Sequence, residues 1–139
     1  DFFAHQEEID LCWRLKNKGY KIIVNPNSVV YHVGGGTLDS SSPFKTYLNF
    51  RNNLYMLFKN LPAIELFKTI FIRLILDGVA AFKFITKRKG LKHVLAILRA
   101  HIVFYLTIPH LIIKRQNQYL NQVLLTNKKL HLEFEFRLL

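Results

Sequence analysis

From Phe44 onward, apolar residues recur at the three- and four-residue spacing of α-helices, with two breaks, Leu61-Pro62 and Lys87-Arg88-Lys89-Gly90. This pattern predicts helices over Thr46 to Asn60, Ala63 to about Thr86 and Leu91 to about Ile113, with Pro109 ending or kinking the last. On a wheel of the Ala63 segment, Phe67, Ile70, Phe71, Leu74, Gly78, Ala81, Phe82 and Ile85 share one face. Ile72, Leu76, Val79 and Phe84 occupy the opposite side, so the helix needs a second apolar neighbour. Lipid would serve, and so would protein in a bundle or a homo-oligomer. From Phe44 onward the longest stretch without a charged residue, Ala100 to Ile113, has 14 residues, short of the roughly 20 a bilayer span requires. Lying on a membrane surface is the expectation that follows.

Charge supports it. No Asp or Glu occurs between Gly78 and Leu132, whereas ten cations do, nearly the whole of the +11 net charge. A basic field draws phosphate, in nucleic acid or in anionic lipid. Here Leu, Ile, Val and Phe fill the gaps instead of the Gly, Ser and stacking aromatics of a nucleic-acid groove. An anionic membrane surface is therefore the expected partner, and no nucleic acid. The lone Cys12 excludes an internal disulfide and a Cys-based zinc site, fits a reducing compartment and reads as a small core residue.

The first 62 residues are organised differently. Glu7 to Lys18 reads as a helix capped by Gly19, followed by short strands at Tyr20 to Val24 and Ser28 to Val33 across an Asn25-Pro26-Asn27 turn. Gly34-Gly35-Gly36 and Ser40-Ser41-Ser42-Pro43 make a loop suited to a lid. At the far end, Leu130 to Leu138 alternates apolar and polar residues, which predicts a further strand. The chain opens at Asp1 with no initiator Met and no leader, so an internal position in a longer polypeptide is expected.

In the first helix, Glu8 falls on an apolar stripe with Leu11, Cys12 and Leu15, while Glu7, Asp10, Arg14, Asn17 and Lys18 gather opposite. A poorly solvated carboxylate is what a general base requires, although an acid in a first helical turn also serves simply to offset the helix dipole. Asp10 and Arg14, at i and i+4, make an intrahelical ion pair. His32 stands before the glycine loop, a structural residue or a metal ligand with no second ligand nearby.

Taken in order, Phe2-Phe3-Ala4-His5-Gln6-Glu7-Glu8-Ile9-Asp10-Leu11-Cys12-Trp13-Arg14-Leu15, Gly19-Tyr20-Lys21, Val30 to Thr37, and Asn49 to Asn53 with Leu61-Pro62 resemble the C-terminal section of the family 2 glycosyltransferases, in the rhamnosyltransferase-like group. The resemblance covers about the first 62 residues. It implies an α/β parent fold of the nucleotide-diphospho-sugar transferase (GT-A) type, to which this chain adds a mainly α-helical piece with a few short strands. Residues 1–62 would be the end of the catalytic domain and 63–139 a basic, membrane-facing extension.

What the resemblance implies for chemistry is an inverting hexosyl transfer from a nucleoside diphosphate sugar to a hydroxyl of an envelope glycan or lipid-linked acceptor, at the cytoplasmic face of the cell membrane. Glu8 takes the place of the general base, commonly Asp in the family, and Asp10 and Arg14 match positions that orient base and acceptor. Glu7 would face substrate. Trp13 would line the acceptor site or fill the core, and Arg51 would contact a phosphate or carry a solvated charge. His32 matches a ligand of a divalent metal, Mg or Mn, whose other ligands would lie upstream. No Asp-x-Asp occurs in these residues, so the chain by itself is expected to be inactive. A non-catalytic peripheral membrane or scaffold module is the alternative.

Overall fold

In the computed structural model, backbone is described for residues 2–31, 39 and 41–137, and side chains for the same residues except 122 and 125–137. Four helices follow in order: α1 (Glu7–Asn17), α2 (Pro43–Asn60), α3 (Ala63–Ile85) and α4 (Gly90–Arg137). The sequence-predicted helices are all present, with boundaries set by local chemistry. Ser42 caps α2 by accepting from Phe44 N–H at 3.2 Å, and Pro43 occupies the first turn, where its missing N–H costs nothing. Pro62 separates α2 from α3. The α3–α4 turn depends on Gly90: a Cβ there would sit 1.6 Å from the Phe84 carbonyl oxygen, so only glycine fits.

The core lies between α2 and α4. One cluster joins Tyr47 and Leu48 to Ala96 and Ala100, and a second joins Leu54 and Tyr55 to Phe104 and Leu111. Small alanines on α4 let the helices approach, and Phe104 then fills the widening space, with Phe58 edge-on at 5.9 Å. Phe2 and Ala4, ahead of α1, pack on these clusters as well.

Three expectations are corrected. Tyr20 to Tyr31 contains the Asn25 turn, with Asn27 N–H donating to Asn25 Oδ1 at 3.0 Å, but no strand. Its Ile23, Val24, Val30 and Tyr31 are more than four-fifths exposed. A strand exists only as part of a ladder, and among the described residues no partner reaches this segment. The alternating end of the chain is not a strand either, because α4 continues to Arg137. Extending an existing helix satisfies each new peptide group, whereas an unpartnered strand satisfies none. Of the two outcomes expected at Pro109, an end or a kink, the end does not occur, since α4 runs on past it. Ahead of it, the Thr107 hydroxyl donates to the Val103 carbonyl at 2.7 Å and meets the Tyr55 hydroxyl at 2.7 Å, fixing the weakened turn to α2.

The apolar side expected on α3 is largely exposed, and so are Ile72, Leu76 and Val79 of the opposite side. The buried stripe of α3 runs through Leu66 and Asp77 with Ile70 and Arg73 partly covered, while Phe67, Phe71, Phe82 and Ile85 are exposed. Unbroken through Pro109, α4 provides one segment, Gly90–Asn121, long and apolar enough to cross a membrane by length and composition, with 33% of its most apolar window buried inside the protein. Core helices share that composition.

Candidate functional site

The polar side of α1, not its apolar side, faces the protein. Asp10 is 1% exposed. Its carboxylate accepts from Arg14 Nε at 2.8 Å, Lys59 Nζ at 3.1 Å and Asn60 Nδ2 at 2.8 Å. The expected Asp10–Arg14 pair is thus present and extended by the end of α2. With three donors on one carboxylate, turning this side outward would strand a buried ammonium, and that cost sets the rotation of α1. Burial pushes Lys59 below its ordinary pKa of 10.5, while its hydrogen bond and attraction to Asp10 pull it back. The Phe2 ring lies 4.8 Å from the same ammonium.

A second clamp fixes the entry to α1. Asn52, fully buried on α2, donates to the carbonyls of Ala4 at 2.7 Å and His5 at 2.9 Å. His5 and Gln6 hold φ of 70° and 71°, a conformation rare for residues with a side chain. Arg51 donates to Asn52 Oδ1 from two nitrogens and spans the Tyr47 and Tyr55 rings at 5.1 and 5.4 Å. It packs and orients Asn52 and is not a freely solvated charge.

With its back so held, α1 presents Glu7 and Glu8 to solvent. Burial of Glu8 on an apolar stripe is therefore corrected: Ile9, Leu11 and Cys12 beside it are exposed too, and Cys12 is no core residue. Trp13, half-buried, lines a groove. His32 and the glycine loop lie outside the described residues, and among the described residues no three His, Cys, Asp or Glu side chains gather as a metal site.

The groove, of about 1540 Å³, runs between the first half of α3 and residues 104–120 of α4, with the end of α2 behind it. Its floor is Leu66 and Phe104, and Phe67 and Phe71 form an exposed wall. At one end a cavity of about 300 Å³ opens, shared through Lys59, Asn117 and Gln118 and completed by Asp10, Arg14 and Lys114.

Sequence reasoning missed a second buried cluster. Asp77, 2% exposed, accepts from Arg73 Nη2 at 2.6 Å and lies 3.0 Å from His101 Nε2. Asp77 is the last acid before the long acid-free stretch and stands four residues after Arg73, a spacing that could have marked it. No known protein family, curated protein or solved structure matches the chain.

Proposed function

We propose that the chain is the C-terminal portion of an inverting glycosyltransferase of the family 2 type, with Glu8 as general base. What supports this reading is the ordered resemblance of the first 62 residues, together with a carboxylate open to an acceptor on a helix whose opposite side is locked by buried Asp10; bound donor and acceptor must then exclude the water that reaches Glu8. An acceptor hydroxyl can reach Glu8, and the frame behind it does not yield. Glu8 takes the hydroxyl proton as the oxygen forms its bond to the anomeric carbon. The bond from that carbon to the nucleoside diphosphate breaks, its electron pair leaves with the diphosphate, and the configuration inverts. Asp10 and Arg14 act through α1 as positioning residues, and Arg51 acts through Asn52. Glu7 and Trp13 stand on the same helix for substrate contact. A divalent metal at His32, a nucleotide-sugar donor and a glycan or lipid-linked acceptor follow from the sequence resemblance, as does a peripheral site at the cytoplasmic membrane face.

The test uses the full-length polypeptide containing this sequence, assayed for turnover of nucleotide sugars. Glu8→Gln should lower transfer at least about a hundredfold with donor binding retained. Transfer undiminished in Glu8→Gln refutes the assignment. A second reading, a non-catalytic peripheral membrane module, draws on the exposed Phe67, Phe71, Phe82 and Ile85 of α3. Loss of vesicle binding without loss of transfer would separate the two.

A further inference from the structure

The groove beside α3 differs from a small-molecule site in size and in charge layout. Pockets for compact ligands run to about 300–1,000 Å³, and this groove holds about 1540 Å³. Its α3 wall, Ala63 to Leu74, is about 17 Å long at 1.5 Å per residue. That matches the depth of one leaflet, half of a hydrocarbon core about 30 Å thick. The lining is apolar along this length, and among the described residues no Asp or Glu lines it.

Polarity is confined to one end. There Arg14, Lys59, Lys114 and Arg115 line the groove or the adjoining cavity, and Asp10 is the one carboxylate among the described residues lining either. Four cations against one anion leave a formal excess of three, with Asn117 and Gln118 adding neutral donors. A clustered set of Arg, Lys and amide donors suits a phosphate, which offers several acceptor oxygens. Apolar along its length and cationic at one end, the groove has the layout of a phosphate-headed lipid.

We propose that this groove binds a phosphate-headed lipid, its hydrocarbon chain along Phe67, Phe71 and Phe104 and its phosphate at Lys114 and Arg115. Arg115 is already oriented, donating to the Phe58 carbonyl at 2.6 Å. The exposure of Phe67 and Phe71 follows, since the chain covers them when bound. The proposal stands apart from the transferase reading, because it does not involve Glu8.

Calorimetric titration of the full-length protein with dodecyl phosphate, below the concentration at which it forms micelles, is the test. Dodecyl phosphate should bind at least about tenfold more tightly than hexyl phosphate, because each buried methylene contributes. Inorganic phosphate should bind more weakly still, which separates a lipid site from a phosphate site. Phe71→Asp, at an exposed position that leaves the fold intact by circular dichroism, should abolish the chain-length dependence. The pair Lys114→Ala and Arg115→Ala should weaken dodecyl phosphate about tenfold and leave dodecyl maltoside unchanged. Equal binding of hexyl and dodecyl phosphate overturns the proposal. So does equal binding of the maltoside, or a groove found closed by self-association that Phe71→Asp disrupts. Glu8→Gln should bind dodecyl phosphate like the unaltered protein even where transfer is lost, so the two readings fail separately.

Discussion

With the Asp10 carboxylate removed, Lys59 at 8% exposure would lose the carboxylate it meets at 3.1 Å, and Asn60 and Arg14 would each lose an ionised partner. Asp10→Asn should therefore cost about 3–5 kcal/mol, read in a urea melt, with α1 losing protection from hydrogen exchange first because α2 is the helix it packs against. Lys59→Met is the informative counterpart. It removes the buried cation while Asp10 keeps Arg14 and Asn60, so its cost should be smaller than that of Asp10→Asn. Lys59 also sets a pH signature. Its folded pKa lies below 10.5, so between the two values the unfolded chain binds more protons, and the Lys59 contribution rises with pH across that window. It is full above 10.5 and lost as pH falls through the folded value. Urea melts at stepped alkaline pH should show this rise in the unaltered protein and not in Lys59→Met; an identical slope in both refutes the assignment.

Each helix is specified by its ends, and the α3–α4 turn is the most exacting of them. Gly90→Ala would drive a methyl into the Phe84 carbonyl, and backbone cannot step aside as a side chain could. A loss of about 1–3 kcal/mol is expected in thermal melts, against a gain of about 0.5–1 kcal/mol for Gly78→Ala inside α3, whose added Cβ meets nothing within 4 Å. This turn was legible in the sequence, as were the four helices, because breakers and periodicity are local signals. What was not legible is rotation about a helix axis. Hydrophobicity put Leu11 and Cys12 of α1 toward a core, yet these are exposed, and on α3 it could not tell which apolar side meets protein, where Phe67, Phe71 and Phe82 are exposed. The inward sides carry Asp10 and Asp77, each held by side chains from another helix. Those partners are 24 to 50 residues away, and no window of sequence shows them. Strand expectations failed over the described residues for a related reason: the apolar runs at 20–24 and 28–31 and the alternation at 130–137 describe side-chain patterns, and a ladder also needs a neighbour.

At the scale of the whole molecule, two features coincide in α3 and the turn that follows it. Phe82 and Ile85 are exposed near the end of α3, and Lys83, Lys87, Arg88 and Lys89, their neighbours in sequence, are exposed as well. Apolar residues among cations favour an anionic bilayer, since the rings enter the interface while the ammonium groups stay at headgroup level. Nucleic acid would use the charge and leave the apolar residues in water. Reversing Lys87, Arg88 and Lys89 to Glu removes three contacts worth about 1 kcal/mol each at an anionic surface, so flotation on phosphatidylglycerol vesicles should weaken by about a hundredfold. Phe82→Ser with Ile85→Ser should weaken flotation at fixed charge and leave any retention on heparin unchanged, because heparin presents anions without a hydrocarbon interior. Equal losses on both matrices would show a purely electrostatic patch and remove the membrane from the reading of this surface.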